Sequence, residues 1–526
     1  MVAKIELFDA ELLRRLIDEF RASMRRLLFD LCEELDGESR RHAAVLQLPV
    51  GLFREVADSL AREHYSNWKV VGWIEELNEL VYFLDLQAQL HRERSHEQFA
   101  IELLAECEEQ LYEHSYLDEL FPRGEPEPVG LARRLSGLCA RLARQATQES
   151  LFLVPGLPCV WLARTQQTKW TTPCDLRPNF ERAELGGCVY AGVEGAYLAP
   201  PASLRTRLFA RADQATLLIR PDGIHLRIGG QIVPLLTSDG LHCSPWLYVP
   251  PCYVQPGSLT LGPALVYGKG ASPCRVAPPP PGLAERLQRA LAVIESAWPA
   301  GGGNVACLTS RIVPLKASGV VSFSYRHRPG LSFINCFDRD ALDLIDDLLH
   351  ENSHHHLNLL LRKYVLIRKT HSREVLYSPW RRTLRPLRGI LHASFTFTMG
   401  AILFERLSAW AGSRTRPGGA RSDGRGKAGL TAKEVLRARF RCLEEVESVQ
   451  YSMRDLTHAA NSLGWLSGAG GLLVSELQGQ IAGVRRRIAP YRRAILRSGY
   501  GAALRRQQRE LAAARTTYRP LTVRDR

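Results

Sequence analysis

The run LLHENSHHHL, from Leu348 to Leu357, sets four histidines and a glutamate inside an otherwise apolar helical stretch. On an α-helix His350 and His354 lie one turn apart on one face. The same stripe continues through Leu357 and Leu361, so this face points inward, where imidazoles without partners are costly. Two histidines so placed can grip one cation, and His350-Glu351-Asn352-Ser353-His354 has the HExxH spacing of helical metal sites. A pattern this short also arises by chance in a histidine-rich stretch, so the remaining chain has to supply a further ligand.

The extended form HExxHxxGxxH would need glycine at 357 and histidine at 360, where Leu357 and Leu360 stand. Glu374 and Glu405 lie downstream, but neither sits in an ExxxD setting, which weakens a peptidase with a third glutamate ligand without removing it. His392, in RGILHASF, occupies an apolar helical context where a buried histidine needs a partner. His355, His356 and His371 are expected at the surface or outside the ligand shell.

The rest of the chain frames this helix. At 526 residues it exceeds one ordinary core, and 45% hydrophobic with 24% charged residues is a globular composition. Residues 1–150 carry helical periodicity, as in WIEELNELVYFLDLQAQL, broken by a proline-rich loop at 121–130. Residues 151–282 are rich in Pro and Gly, and TLLIRPDGIHLRIGGQIVPLL reads as a hairpin turning at Pro221-Asp222-Gly223. Residues 283–411 hold an amphipathic helix, the strand-like runs RIVPLK, GVVSFSYRH and PGLSFIN, the HExxH helix over about 339–368, and the helix of His392. Residues 412–430, rich in Gly and Arg, read as a disordered linker lacking GxxxxGK[ST]. Two helices, about 431–465 and 472–515, lie in a C-terminal region, 431–526. The expected fold class is α+β and predominantly helical, with the HExxH helix in a helical catalytic core and a smaller strand-rich region before it.

Twelve cysteines without a CxxC pair exclude a zinc ribbon and a thioredoxin-like motif, and read as reduced, buried thiols. The start MVAKIELFDAELLRRL lacks the apolar core of a secretory signal, which predicts a cytoplasmic protein. GILHASFTFTMGAILF, residues 389–404, is shorter than a membrane span and reads as a buried helix. Of the net charge of +14, most sits after residue 480, where thirteen arginines face only Glu510 and Asp525. That segment suits an acidic peptide. Nucleic acid is less expected, because no aromatic–basic interleaving pattern or recognisable nucleic-acid module accompanies the charge.

Three segments together carry a resemblance: RIVPLKASGVVSFSYRHRPGLSF, IDDLLHENSHHHLNLL, and LYSPWRRTLRPLRGILHASFTF. In their order they resemble the HExxH-type peptide β-hydroxylases of ribosomally synthesised peptide (RiPP) pathways, specifically over about 311–407. The resemblance implies iron(II) held by His350, His354 and His392. It also implies 2-oxoglutarate chelating through its carboxylate and keto oxygens, and molecular oxygen at the last position. This set departs from two histidines and one carboxylate, so Glu351 is read as a neighbour that orients water or an imidazole N–H, with ligation as its alternative. The far carboxylate of 2-oxoglutarate needs a fixed cation, for which Arg385 is the first candidate and Arg381 the second, with Arg382 and Arg388 solvated. The implied activity is hydroxylation of a side-chain β-carbon in a precursor peptide, whose leader is expected to be acidic. The alternatives are a zinc metallopeptidase with Glu351 as general base, and an inactive peptide-binding scaffold.

Overall fold

The computed structural model describes residues 5–150, 259–368, 375–414 and 430–518 with few gaps, and mainly short strands between them at 151–258. The fold is α+β and predominantly helical, as the periodicity predicts.

Three long helices organise the N-terminal region: α1 (Ala10–Asp36), α2 (Trp68–Arg92) and α3 (Leu131–Ser150). The Asp9 carboxylate caps α1 by accepting the Glu11 N–H at 2.8 Å. Leu13, Leu16, Phe20, Met24, Leu28, Leu31 and Leu35 then recur at helical spacing and are buried. Helix α2 is buried on most of its circumference, and its Trp73 indole N–H donates to the Ala146 carbonyl of α3 at 3.1 Å. The strands β1 (Thr216–Arg220), β2 (Gly223–Ile228) and β3 (Gln231–Thr237) pair antiparallel with Arg220 opposite Gly223, the expected hairpin.

A mixed sheet joins this region to the C-terminal helices. It contains β4 (Thr260–Leu261), β5 (Ala264–Tyr267), β6 (Pro273–Ala277), β7 (Arg311–Lys316), β8 (Phe323–Ser324) and β9 (Leu331–Asn335). Strand β7 runs parallel to β4 and β5 on one side and to β9 on the other. Parallel strands covered on both faces read as near-continuous buried runs, which RIVPLK and LSFIN are. Val313, Leu315, Leu331 and Phe333 pack with Trp68, whereas Ile312 and Ile334 join the helical core opposite. The seam also holds Arg328, 1% exposed, paired with Glu76 at 3.2 Å and Glu149 at 3.3 Å. Gly72 lets the guanidinium cross α2, since a Cβ there would sit 2.1 Å from Arg328 Nη1.

Next come α4 (Leu283–Ala297), α5 (Pro299–Leu308) and the HExxH helix α6 (Ala341–Lys363), shorter than the expected 339–368. Asp340 and Asp343 form a capping box, with Asp340 Oδ1 accepting from the Leu342 and Asp343 N–H groups at 3.0 Å, and this fixes where α6 starts. The hairpin β10 (Leu376–Ser378) and β11 (Thr383–Arg385) leads into α7 (Leu387–Arg414). Helix α7 is long and apolar enough to cross a membrane, and 72% of its most apolar stretch is buried inside the protein. The expected linker falls largely on 415–429, outside the described residues, although 412–414 still belong to α7.

Helices α8 (Ala432–Asn461) and α9 (Gly468–Ile488) pack on α7. The single last helix expected over 472–515 is instead three: α9, α10 (Arg492–Arg497) and α11 (Gly501–Thr517). Pro490 cannot continue the hydrogen-bond ladder after Ile488, and α11 restarts at Gly501. Of the arginine-rich segment, Arg487, Arg492 and Arg515 are tied to Glu405, Glu447 and Asp455. Arg485, Arg486, Arg493 and Arg497 are exposed.

Candidate metal centre

The stripe of α6 that the sequence singles out lines a cavity of about 480 Å³ together with β10, the β10–β11 turn and α7. His350, Glu351, His354, His392, Arg381 and Arg385 all border it. Donor atoms of His350, Glu351 and His354 lie within 4.8 Å of one another. Metal–ligand bonds of about 2.1 Å hold donors no more than roughly 4.2 Å apart, so small side-chain rotations would close this set on one ion. The His350 and His354 rings meet edge to face at 5.1 Å, and His392, from the facing helix, stacks on His354 at 5.9 Å. His392 is therefore in the cavity, but the tight cluster is the two histidines with Glu351.

Electrostatics suit a cation. Burial, then the charges of Arg441 and Arg381, lowers His350 to about 4, and burial with the neighbouring imidazoles lowers His354 as well, so both rings are neutral with lone pairs to give. Burial pushes Glu351 up to about 8, and Asp347 and Asp346 add to that against the pull of Ser324. Glu351 Oε2 is buried with no hydrogen-bond partner among the described residues. A carboxylate oxygen in that position needs a proton or a metal, and two neutral imidazoles beside it fit a divalent transition ion. The donor set does not separate iron from zinc.

The four cavity guanidinium groups divide in two. Arg339 pairs with Asp347 at 3.0 Å, and Arg441 with Asp346 at 3.0 Å and Glu445 at 3.3 Å. Arg381 and Arg385 form no ion pair and no side-chain hydrogen bond among the described residues. Two uncommitted guanidinium groups beside a metal cluster are the donors an anionic ligand would use. No family model matches the chain, and no curated protein matches it.

Several readings change at this point. Of the two places expected for His355 and His356, the surface or outside the ligand shell, the surface is excluded, since they are buried at 3% and 5% exposure. The Gly330 N–H donates to His355 Nδ1 at 3.3 Å and its Nε2 meets Ser332 Oγ at 3.1 Å, so His355 fastens α6 to β9. His371 and Glu374 lie outside the described residues. Arg382 stays mostly solvated, its side chain 64% exposed while it bridges to Glu510 at 3.2 Å, whereas Arg388, also expected to be solvated, is half-buried. Sequence reading also missed the aspartates of the cavity stripe, although Asp343, Asp346, Asp347, His350, Glu351 and His354 follow helical spacing on one face and could have been found that way. Arg441 had no such signal, since it arrives from α8 beyond the linker.

Proposed function

We propose that the chain is an iron(II)- and 2-oxoglutarate-dependent peptide hydroxylase acting on a side-chain β-carbon of a ribosomally made precursor peptide. The observation that carries this reading is the pair Arg381 and Arg385, which among the described residues are the cavity guanidinium groups without acidic partners around a histidine cluster. His350, His354 and His392 would hold the metal, with Glu351 beside them. When bound, iron supplies the coupling of oxygen reduction and 2-oxoglutarate decarboxylation to insertion of one oxygen atom into a C–H bond.

The protein's own part is binding and orientation. Arg385 and Arg381 fix the far carboxylate of the cosubstrate, which sets its other end toward the histidines. Ion pairs with Arg339 and Arg441 occupy Asp347 and Asp346, the carboxylates that share the cavity with the histidines. The His350 ring also packs edge-on against Phe397 at 5.0 Å, which limits water on that side. A cytoplasmic location, where precursor peptides are made, belongs to the same reading.

A zinc metallopeptidase is the second reading, favoured by the closeness of Glu351 to both histidines, where a general base would stand. In that reading Arg381 and Arg385 would bind the developing oxyanion or a substrate carboxylate rather than a cosubstrate. The deciding experiment incubates the protein with Fe(II), ascorbate, 2-oxoglutarate and the precursor peptide encoded beside it, then reads mass. One added oxygen with succinate release supports the hydroxylase, and cleavage in the presence of zinc overturns it.

A further inference from the structure

Helix α8 carries Arg437, Arg441 and Glu445 at four-residue spacing, which sets the three on one side of the helix. The two arginines clamp α6. Arg437 pairs with Asp340 and Asp343, and Arg441 with Asp346 at 3.0 Å, one turn before His350. Glu445, 3% exposed, reaches a different element. Its Oε2 accepts the indole N–H of Trp380, in the β10–β11 turn, at 2.9 Å. The carboxyl keeps one bare oxygen for that N–H whether or not it is ionised.

That turn bears one half of the proposed anion anchor and leads into the other. The Arg382 N–H donates to the Ser378 carbonyl at 2.8 Å and the Arg381 N–H to Ser378 Oγ at 3.4 Å, so the chain reverses tightly between the paired Ser378 and Thr383, with Arg382 at φ of 56°. Trp380 ties the reversal to the helices behind it. Its ring stacks on Phe397 of α7 with centroids 4.4 Å apart and planes 6° from parallel, and it borders both the metal cavity and a second cleft of about 290 Å³ lined by α8 and α11. Stacking sets the height of the indole over Phe397 but lets it slide and turn in its own plane, since dispersion has little direction; the hydrogen bond to Glu445 supplies the direction. Arg381, the next residue, lines the metal cavity, and Arg385 lines it from the end of β11.

We propose that Glu445 is a positioning residue for the cosubstrate anchor: through Trp380 it sets Arg381, and the hairpin that ends in Arg385, at a defined separation from the histidines of α6. One side of α8 is then the frame of the site, with Arg437 and Arg441 locating the metal helix and Glu445 locating the anchor hairpin. The inference rests on the 2-oxoglutarate reading above and adds what sets the spacing between the two ends of that ligand's site. The spacing matters because a short dicarboxylate chelated at one end and gripped at the other tolerates little misplacement of either.

The test compares 2-oxoglutarate with 2-oxobutyrate, which keeps the keto-acid end and lacks the far carboxylate, by anaerobic calorimetric titration into the full chain loaded with Mn(II). Glu445→Leu and Trp380→Phe should each weaken 2-oxoglutarate about tenfold, the scale of one lost hydrogen bond, and leave 2-oxobutyrate and Mn(II) binding unchanged. The double variant should lose no more than either single one, because both remove the same bond. Phenylalanine keeps a ring over Phe397, so Trp380→Phe decides the matter by itself if melting curves show that the leucine variant does not fold. A wild-type preference for 2-oxoglutarate that persists in the variants overturns the inference and leaves the cosubstrate reading standing. An equal loss for both keto acids also overturns it, since Glu445 would then be a general prop of the fold. No preference in the wild type would sink the cosubstrate reading, and the inference with it.

Discussion

Replacing Arg385 and Arg381, singly and together, is the sharpest probe of the cavity. Each can offer a carboxylate two parallel charge-assisted hydrogen bonds, and a hydrogen bond to a charged group contributes about 1.5–3 kcal/mol. Lysine keeps the charge but loses the fork, so Arg385→Lys should weaken 2-oxoglutarate binding by roughly 10–100-fold. The neighbouring Arg339 and Arg441 do not move in to mask the substitution, since they are held by Asp347, Asp346 and Glu445. Metal affinity should respond differently. The Arg381 charge bears on His350, lowering its affinity for a proton, so removing that charge should leave metal binding unchanged or slightly tighter. The assay is anaerobic calorimetric titration of 2-oxoglutarate into the Mn(II)-loaded protein, with metal content measured in parallel. If the two arginines share one carboxylate, the double variant loses less than the sum of the singles. Wild-type affinity in both single variants would refute the assignment of these guanidinium groups as the anion anchor.

Alanine at His350 or His354 should cut metal affinity at least about 100-fold, whereas Glu351→Gln should keep metal and lose activity, read by metal analysis after dialysis; a loss in Glu351→Gln as deep as in His354→Ala would make Glu351 a ligand. Burial holds Glu445 up at about 8 against the pull of Arg441 and the Trp380 N–H, well above its unfolded value. A carboxyl raised in the folded state contributes stability below the unfolded pKa and loses it as pH rises through the folded one, so melting temperature should fall from pH 5 to 8. The limit is about 1.4 kcal/mol per pH unit, and Glu445→Gln should flatten the slope. Arg328→Met should destabilise the protein by about 3–5 kcal/mol, because it removes the buried guanidinium that Glu76 and Glu149 pair with, and denaturant unfolding measures it.

The HExxH helix was legible, over about 339–368 against the observed Ala341–Lys363, because helix signals are local. The capping box, the apolar stripe and the one-turn spacing of His350 and His354 all follow from helix geometry, which the chain carries in its own order. The parallel strands showed as apolar runs for the same reason. Burial of His355 and His356 was not legible, since four consecutive positions of a helix face four directions and only neighbouring elements decide which of them meet solvent. Here β9 covers one side of α6, and α7 another, where the His356 ring meets Phe395.

By itself, then, the sequence determined the helical class, the hairpin and the HExxH face. It did so because periodicity and capping act over a few residues. Tertiary structure alone decided which arginines stay without ion pairs among the described residues. Asp346 and Asp347 claim Arg441 and Arg339, and that leaves Arg381 and Arg385 to face the histidines. It also decided that Glu351 draws nearer than His392 to the paired histidines, and that Trp380 stands between two cavities. Those outcomes depend on packing among α6, α7 and α8, and on pairs such as Asp346 with Arg441, 95 residues apart, whose meeting no local pattern encodes.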